Sequence, residues 1–395
     1  MGEAGGSLVF DLLFNGILFF MVAVWLIGMV KRKSLAGLTG SLKKHGRLFV
    51  PIVVWAVFLV LAVSYLVWFD QFSAAHDIPE AVDAGVIDVS HGGNPYEDKV
   101  IPRFDTKYGV DTKLEFGTYN YLPVDLMVYA SMHRALGFLG SPLWFVVSNL
   151  MLWSVAFAAF YGFVNIKLRG YIPFAGTCML FYSFDNAALT ALLMVASIYA
   201  LKKMRSDRAG IVSIVIMGLA VLTKAYAVVP FIVLFLWLLG EQLRLRRVEE
   251  SMRLVMAGAA SAAIGVLVMV PFGISNVLNS AVFFHMSTET RAGTSVGGTA
   301  LAELAMGSPY FAYIAVGAIV AALIMSLKLR SLYDRIALVS IAFSLVSIKS
   351  SYALLIVPGL FIVLRVREWM EVDEPPPSEI EVSTVSVDSA ISSSK

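Results

Sequence analysis

Apolar residues in this chain gather into blocks of about 15 to 24 residues, and that grouping leaves few folds open. Segments of such length span or nearly span a bilayer. Inside the hydrocarbon layer every backbone N–H and C=O needs a partner, which a helix supplies within itself and an open sheet does not. The blocks fall near 8–30, 49–69, 141–164, 171–185, 187–201, 210–224, 225–240, 254–272, 309–327, 332–348 and 350–366. The pattern predicts an all-α polytopic membrane protein with about eleven transmembrane helices, in which 171–201 and 210–240 form tight helical hairpins. Composition agrees: 58% of the residues are hydrophobic and 15% charged, against roughly half and a quarter in soluble domains.

Positive charge sets the expected orientation. Lysines and arginines cluster at Lys31 to Arg47, Lys167 with Arg169, Lys202 to Arg208, Arg244 to Arg253, Lys328 to Arg335, and Arg365 with Arg367. With the N-terminus outside, all of these lie in the cytoplasm, as the positive-inside rule requires. No basic residue precedes the first apolar run, and Lys31-Arg32-Lys33 follow it, so the run reads as a first span and not a signal peptide. Cys178 is the only cysteine, which excludes an internal disulfide and a cysteine-based metal cluster.

Three regions follow. Residues 1–48 hold an added N-terminal span and a basic loop. Residues 49–367 form the main transmembrane region, with large outer loops at 70–141 and 272–308. Residues 368–395 are acidic, rich in Pro and Ser and free of aromatics from Glu371 onward, and read as a disordered cytoplasmic tail. Within the first loop, 122–139 is amphipathic but carries Asp125, His133 and Arg134, which predicts a helix lying in the membrane interface. The Ala/Gly/Ser run at 257–265 predicts close helix packing.

Asp70 stands out by position. It ends the apolar run 49–69 among Tyr65, Trp68, Phe69 and Phe72, at the outer mouth of the bundle. Partial desolvation raises a carboxylate toward the range of a useful general base. Most other acids of this loop read as ordinary solvated residues. Gly92-Gly93-Asn94-Pro95-Tyr96 forms a turn, and Tyr119-Asn120-Tyr121-Leu122-Pro123 leads into the interfacial segment. The tyrosines are either interfacial anchors or platforms that stack on a sugar. In the second loop Arg291 is the one cation, close to His285. It either anchors to headgroups or grips a lipid phosphate bidentately. Lys224 and Lys349 lie at the outer ends of spans and either snorkel or line a phosphate site. Asp185 and Asn186 sit at the tip of the 171–201 hairpin. The string Gly293-Thr294-Ser295-Val296-Gly297 fits a nucleophile elbow but lacks its strand-turn-helix setting. The outer loops contain no Asp-x-Asp pair, and their histidines lack zinc spacing.

A helix ending in Asp70, then GGNPY, then a Tyr-rich stretch ending in Pro123, resembles the GT-C superfamily of integral-membrane glycosyltransferases. The nearest likeness is to its prokaryotic polyprenol-phosphate-mannose-dependent branch. The run from Asp185 through LTALLMVASIYALKK to GLAVLTKAYAVVPFIVLFLWLL is similar to that branch's hairpin pair, with Lys224 and Pro230 in the fixed places. The similarity covers roughly residues 49–365. It departs in the added helix at 8–30, in a longer spacing from Asp70 to GGNPY, and in having two counterparts, Asp77 and Glu80, for a second acidic residue.

The resemblance implies transfer of a hexose, with mannose the first choice, from a polyprenyl- or dolichyl-phosphate sugar to a glycan, glycolipid or glycoprotein acceptor. Asp70 would be the general base of an inverting displacement. The donor phosphate would meet Arg291, then Lys349 and Lys224, with His285 orienting it. Sugar and acceptor would meet Asp77, Glu80, Asn94, Tyr96, Tyr119, Tyr121 and Asp185. No cofactor is required, and a divalent metal is optional. The expected setting is the plasma membrane, with the active site on the extracytoplasmic face, the C-terminus in the cytoplasm and no nucleic-acid partner. A transporter or flippase of lipid-linked sugar is the rival reading. It calls for charged or broken helices near the midplane, whereas the charges here concentrate at one mouth.

Overall fold

The computed structural model describes residues 77–107, 110–141, 143–161, 186–204, 208–282, 311–346, 357–362 and 364–365, with Ala23, Trp25 and Leu26 from the first apolar run. The elements are α1 (Asp77–Ser90), β1 (Ile101–Lys107), β2 (Val110–Gly117), α2 (Pro123–Leu136), α3 (Leu143–Tyr161), α4 (Ala187–Lys203), α5 (Ala209–Val221), α6 (Val228–Arg244), α7 (Val248–Met269), α8 (Ile274–Ala281), α9 (Phe311–Ser326) and α10 (Leu332–Val346). Single 3-10 turns at Gly137–Leu139, Ala225–Ala227 and Val270–Phe272 extend α2, open α6 and close α7.

The described chain is predominantly helical; α3 to α7, α9 and α10 fall on the apolar blocks, while α1, α2 and α8 lie in the two loop regions. Two segments, Ala225–Arg244 and Val248–Phe272, are long and apolar enough to cross a membrane, while Leu143–Ala156, Ala209–Val221 and Tyr313–Ser326 are shorter apolar helices. The apolar windows of the two long segments are only 33% and 22% buried. On α7, Leu267 is 69% exposed and Met256 65%. A surface helix in water turns its apolar stripe inward, whereas these helices turn much of theirs outward.

One feature departs from the all-α expectation. β1 and β2 pair antiparallel, Ile101 opposite Gly117 and Lys107 opposite Val110, with an irregularity between Asp105 and Thr106. The strand pairing occurs in the polar loop, where period-two alternation at Val110, Thr112, Leu114 and Phe116 favours an extended chain.

The hydrophobic core has two parts. The larger joins α4, α5, α6, α7, α9, α10 and the segment carrying Phe361 and Ile362. The smaller forms a loop domain in which α1, Tyr96, Tyr119, α2 and the start of α3 pack with Ala188, Leu189 and α8. Within the bundle, α5 and α7 meet through small residues. Ala257 and Ser261 are 5% and 7% exposed, and the Ser261 hydroxyl donates to Ala257 O at 2.9 Å, within its own helix. This matches the close packing expected of the 257–265 run.

The helices run alternately, so their ends sort into two sets. Asn186 opens α4, Leu222 to Lys224 follow α5, and Phe272 closes α7, and all three reach the loop domain. The other ends of these helices carry Lys202, Lys203, Arg208 and Arg244 to Arg253. The turn between α9 and α10 joins that basic end, because Lys202 Nζ stands 4.6 Å from the centroid of the Tyr333 ring. Arg335 fixes the turn by donating from Nε to Leu329 O at 2.8 Å.

A buried polar link ties distant parts of the chain together at this end. Asp334 of α10 accepts from Trp25 Nε1 at 2.8 Å and from Arg365 Nε at 2.9 Å. Trp25, Asp334 and Arg365 are 2%, 5% and 8% exposed. The first apolar run and the last therefore meet on one carboxylate.

Candidate functional site

The loop domain seats on the bundle through a chain of aromatic contacts that ends on a lysine. It begins in the GGNPY turn, where Gly92 takes a φ of 84°, in the left-handed region that glycine adopts without penalty. Asn94 then reaches the bundle: its Nδ2 donates to Phe272 O at 3.0 Å, and its Oδ1 accepts from Tyr96 N at 3.2 Å. The Tyr96 ring meets Phe272 at 5.2 Å between centroids and meets Tyr119 edge-on at 5.6 Å. Tyr119 meets Tyr121 edge-on at 5.3 Å. Lys224 Nζ stands 4.1 Å over the Tyr121 ring, the geometry of a cation–π contact.

Hydrogen bonds hold this chain in place. Tyr96 OH donates to Tyr121 O at 2.8 Å, and Ser280 Oγ of α8 donates to Tyr96 O at 3.2 Å. Tyr119 N donates to Pro95 O at 2.6 Å. Gly85 of α1 makes room for Tyr119, since a Cβ there would lie 2.6 Å from the ring.

Beneath the aromatic chain lies Asp125, fully buried in the first turn of α2. Its Oδ2 accepts from Tyr119 OH at 3.0 Å and from Asn186 Nδ2 at 2.8 Å. A buried carboxylate is tolerated only when it is hydrogen-bonded, and these two donors come from the loop and from the start of α4. The adjoining backbone is also linked, with Val124 N donating to Leu222 O at 3.3 Å. Below it, Thr190 and Thr223 share a hydroxyl–hydroxyl bond of 2.8 Å between α4 and the end of α5. Lys224 is thus held by a rigid polar hub at the end of the bundle. On the far side of the loop domain, Trp144 Nε1 donates to Asp83 Oδ1 at 2.8 Å, joining α3 to α1, and the His133 ring packs against Trp144 at 4.9 Å.

Of the residues singled out from the sequence, Asn94, Tyr96, Tyr119, Tyr121 and Lys224 are brought together. Tyr96 and Tyr119 are 2% and 0% exposed, so their rings belong to the core, while Tyr121 and Lys224 are partly exposed. Glu80 is exposed on α1, and Asp77 is the first residue of that helix. Asp70, Asp185, His285, Arg291 and Lys349 lie outside the described residues. Among the described residues no three His, Cys, Asp or Glu side chains gather as a metal site. The sequence reading missed the Asp125–Asn186 bond. A lone carboxylate among apolar residues in a helix's first turn was its one signal.

Burial raises the Tyr119 phenol well above its ordinary value, and the nearby Asp125 charge adds to this; Tyr96 is raised by the same two causes. Free tyrosine ionises near pH ~10. Below that pH both the folded and unfolded chains keep these phenols neutral, so they add no pH dependence. Above it the unfolded chain loses protons that the folded chain retains, and stability falls as pH rises. Absorbance titration should show Tyr96 and Tyr119 ionising only as the loop domain opens. Ionisation of every phenol near pH ~10 with the fold intact would contradict this placement.

The chain matches no protein-family model, no curated protein and no solved structure.

Proposed function

We propose that this chain is an integral-membrane glycosyltransferase of the GT-C kind, with about eleven spans. It moves a hexose, mannose first among the candidates, from a polyprenyl- or dolichyl-phosphate donor to a glycan, glycolipid or glycoprotein acceptor. The reaction takes place on the extracytoplasmic face of the plasma membrane, with the C-terminus in the cytoplasm. The observation that carries this reading is Lys224, a cation held 4.1 Å over Tyr121 at the end of the bundle that the loop domain covers. A lipid-linked donor places its phosphate at that depth, with its tail in the bilayer. The opposite ends of the same helices carry the basic clusters, which the positive-inside rule assigns to the cytoplasm.

In this mechanism an acceptor hydroxyl oxygen attacks the anomeric carbon from the face opposite the phosphate. The hydroxyl proton passes to the Asp70 carboxylate. The bond from the anomeric carbon to the phosphate oxygen breaks, and its electron pair leaves with the lipid phosphate. The new glycosidic bond has inverted configuration. Charge that grows on the leaving phosphate is stabilised by Arg291, Lys349 and Lys224, with His285 orienting the donor. Tyr121 offers a partly exposed ring to the sugar. Asn94, together with the buried Tyr96, Tyr119 and Asp125, holds Tyr121 and Lys224 in position.

Sugar transfer by membranes containing Lys224→Ala or Lys224→Arg tests this role. The expected loss in kcat for the alanine variant is on the order of 10²-fold, with partial recovery in the arginine variant. Equal rates for wild type and Lys224→Ala, at equal insertion, would remove Lys224 from the donor site.

A further inference from the structure

The basic end of the bundle contains a cavity of about 580 Å3 between α4, α6, the α9–α10 turn and the segment carrying Arg365. Its lining includes three cations, Lys202, Arg330 and Arg365, together with Ser331, Tyr333 and Trp237, and among the described residues no carboxylate lines it. The rest of the wall is aliphatic. Arg365 is buried and its Nε is bonded to Asp334, so that part of the wall is an ion pair. Lys202 and Arg330 are exposed, and among the described residues Arg330 forms no ion pair.

The framework around these groups is fixed. Lys202 lies over the Tyr333 ring at 4.6 Å. The turn that presents Arg330 is held by Arg335, whose Nε bonds Leu329 O at 2.8 Å. The cavity is also far from the site at the loop domain. Lys202 and Asn186 stand at opposite ends of α4, a helix of 17 residues, which at ~1.5 Å per residue separates them by about 25 Å.

Cations at the mouth, a tryptophan beside them and an aliphatic wall match the parts of one ligand class. A phosphate diester answers the cations, the amphipathic indole suits the glycerol level, and acyl chains fit the apolar wall. A free inorganic anion leaves the indole and the aliphatic wall without a role. We propose that this cavity binds an anionic phospholipid, with Lys202 and Arg330 holding the headgroup phosphate. The inference rests on the membrane reading of the chain and is independent of the sugar chemistry at the other end.

The full chain in detergent, titrated with phosphatidylglycerol, phosphatidylcholine or inorganic phosphate and examined by native mass spectrometry, tests the proposal. Wild type should retain phosphatidylglycerol in preference to phosphatidylcholine. Arg330→Ala and Lys202→Ala, both at exposed positions, should each weaken retention by about tenfold. Arg253→Ala, at the same end but outside the cavity lining, should leave it unchanged. Equal retention of both lipids overturns the site. So does an Arg253→Ala loss as large as that of Arg330→Ala, which would show diffuse attraction to the basic end. Displacement of phosphatidylglycerol by equimolar inorganic phosphate overturns the lipid assignment.

Discussion

Asp70→Asn should lower sugar transfer by roughly 10²- to 10⁴-fold, the range lost when a general base is removed. The substitution keeps size and hydrogen-bonding shape while removing the ability to take a proton. It is therefore expected to act on kcat and leave the donor KM nearly unchanged. In the sequence the residue directly follows the apolar run 49–69, close to Tyr65, Trp68, Phe69 and Phe72. Membranes with equal amounts of wild type and variant supply the comparison. Equal rates would shift the base to Asp77 or Glu80, the other acids near the start of the loop domain. An Asp70→Glu variant separates loss of the proton acceptor from loss of its placement.

Asp334→Ala carries the largest expected effect on stability. It removes the acceptor shared by Trp25 Nε1 and Arg365 Nε. Arg365 is only 8% exposed, so the guanidinium would remain buried without its counter-charge. Breaking such a pair from one side costs about 3–5 kcal/mol. The double variant Asp334→Ala with Arg365→Met should be less destabilised than Asp334→Ala alone, because the stranded charge is gone. Denaturant unfolding of the purified chain in detergent measures both. A loss under about 1 kcal/mol for Asp334→Ala, the scale of an exposed pair, would show that water reaches the guanidinium freely.

The described bundle helices were legible because apolar length is a strong signal: α5 and α6 fall on the runs 210–224 and 225–240, and α9 and α10 on 309–327 and 332–348. Pairing of the ends was partly legible, since alternate helices bring Lys202, Arg208 and Arg244 together and away from Lys224. The β-hairpin was missed although Val110, Thr112, Leu114 and Phe116 alternate with polar residues, because the segment sits in a loop already read as polar. The hub at Asp125 was harder to see. Its hydrogen-bond partners Tyr119 and Asn186 come from separate segments, one of them 61 residues away, and nothing local in a sequence reports such a meeting. Tyr96 and Tyr119 were read as surface anchors or sugar platforms. Their rings fill the loop-domain core, because each phenol finds a buried acceptor, Tyr121 O and Asp125 Oδ2. A polar tip no longer forces such a ring outward once it has that partner.

Transfer of a sugar from a lipid phosphate by this chain is tested in a reconstituted vesicle assay. Vesicles holding the purified chain receive polyprenyl-phosphate-mannose labelled in the sugar, together with acceptor lipids from membranes that express the protein. The expected result is label appearing on an acceptor, with inverted anomeric configuration and polyprenyl phosphate released. If the labelled donor instead crosses the bilayer intact and no sugar is transferred, the chain moves lipid-linked sugars and is not a glycosyltransferase.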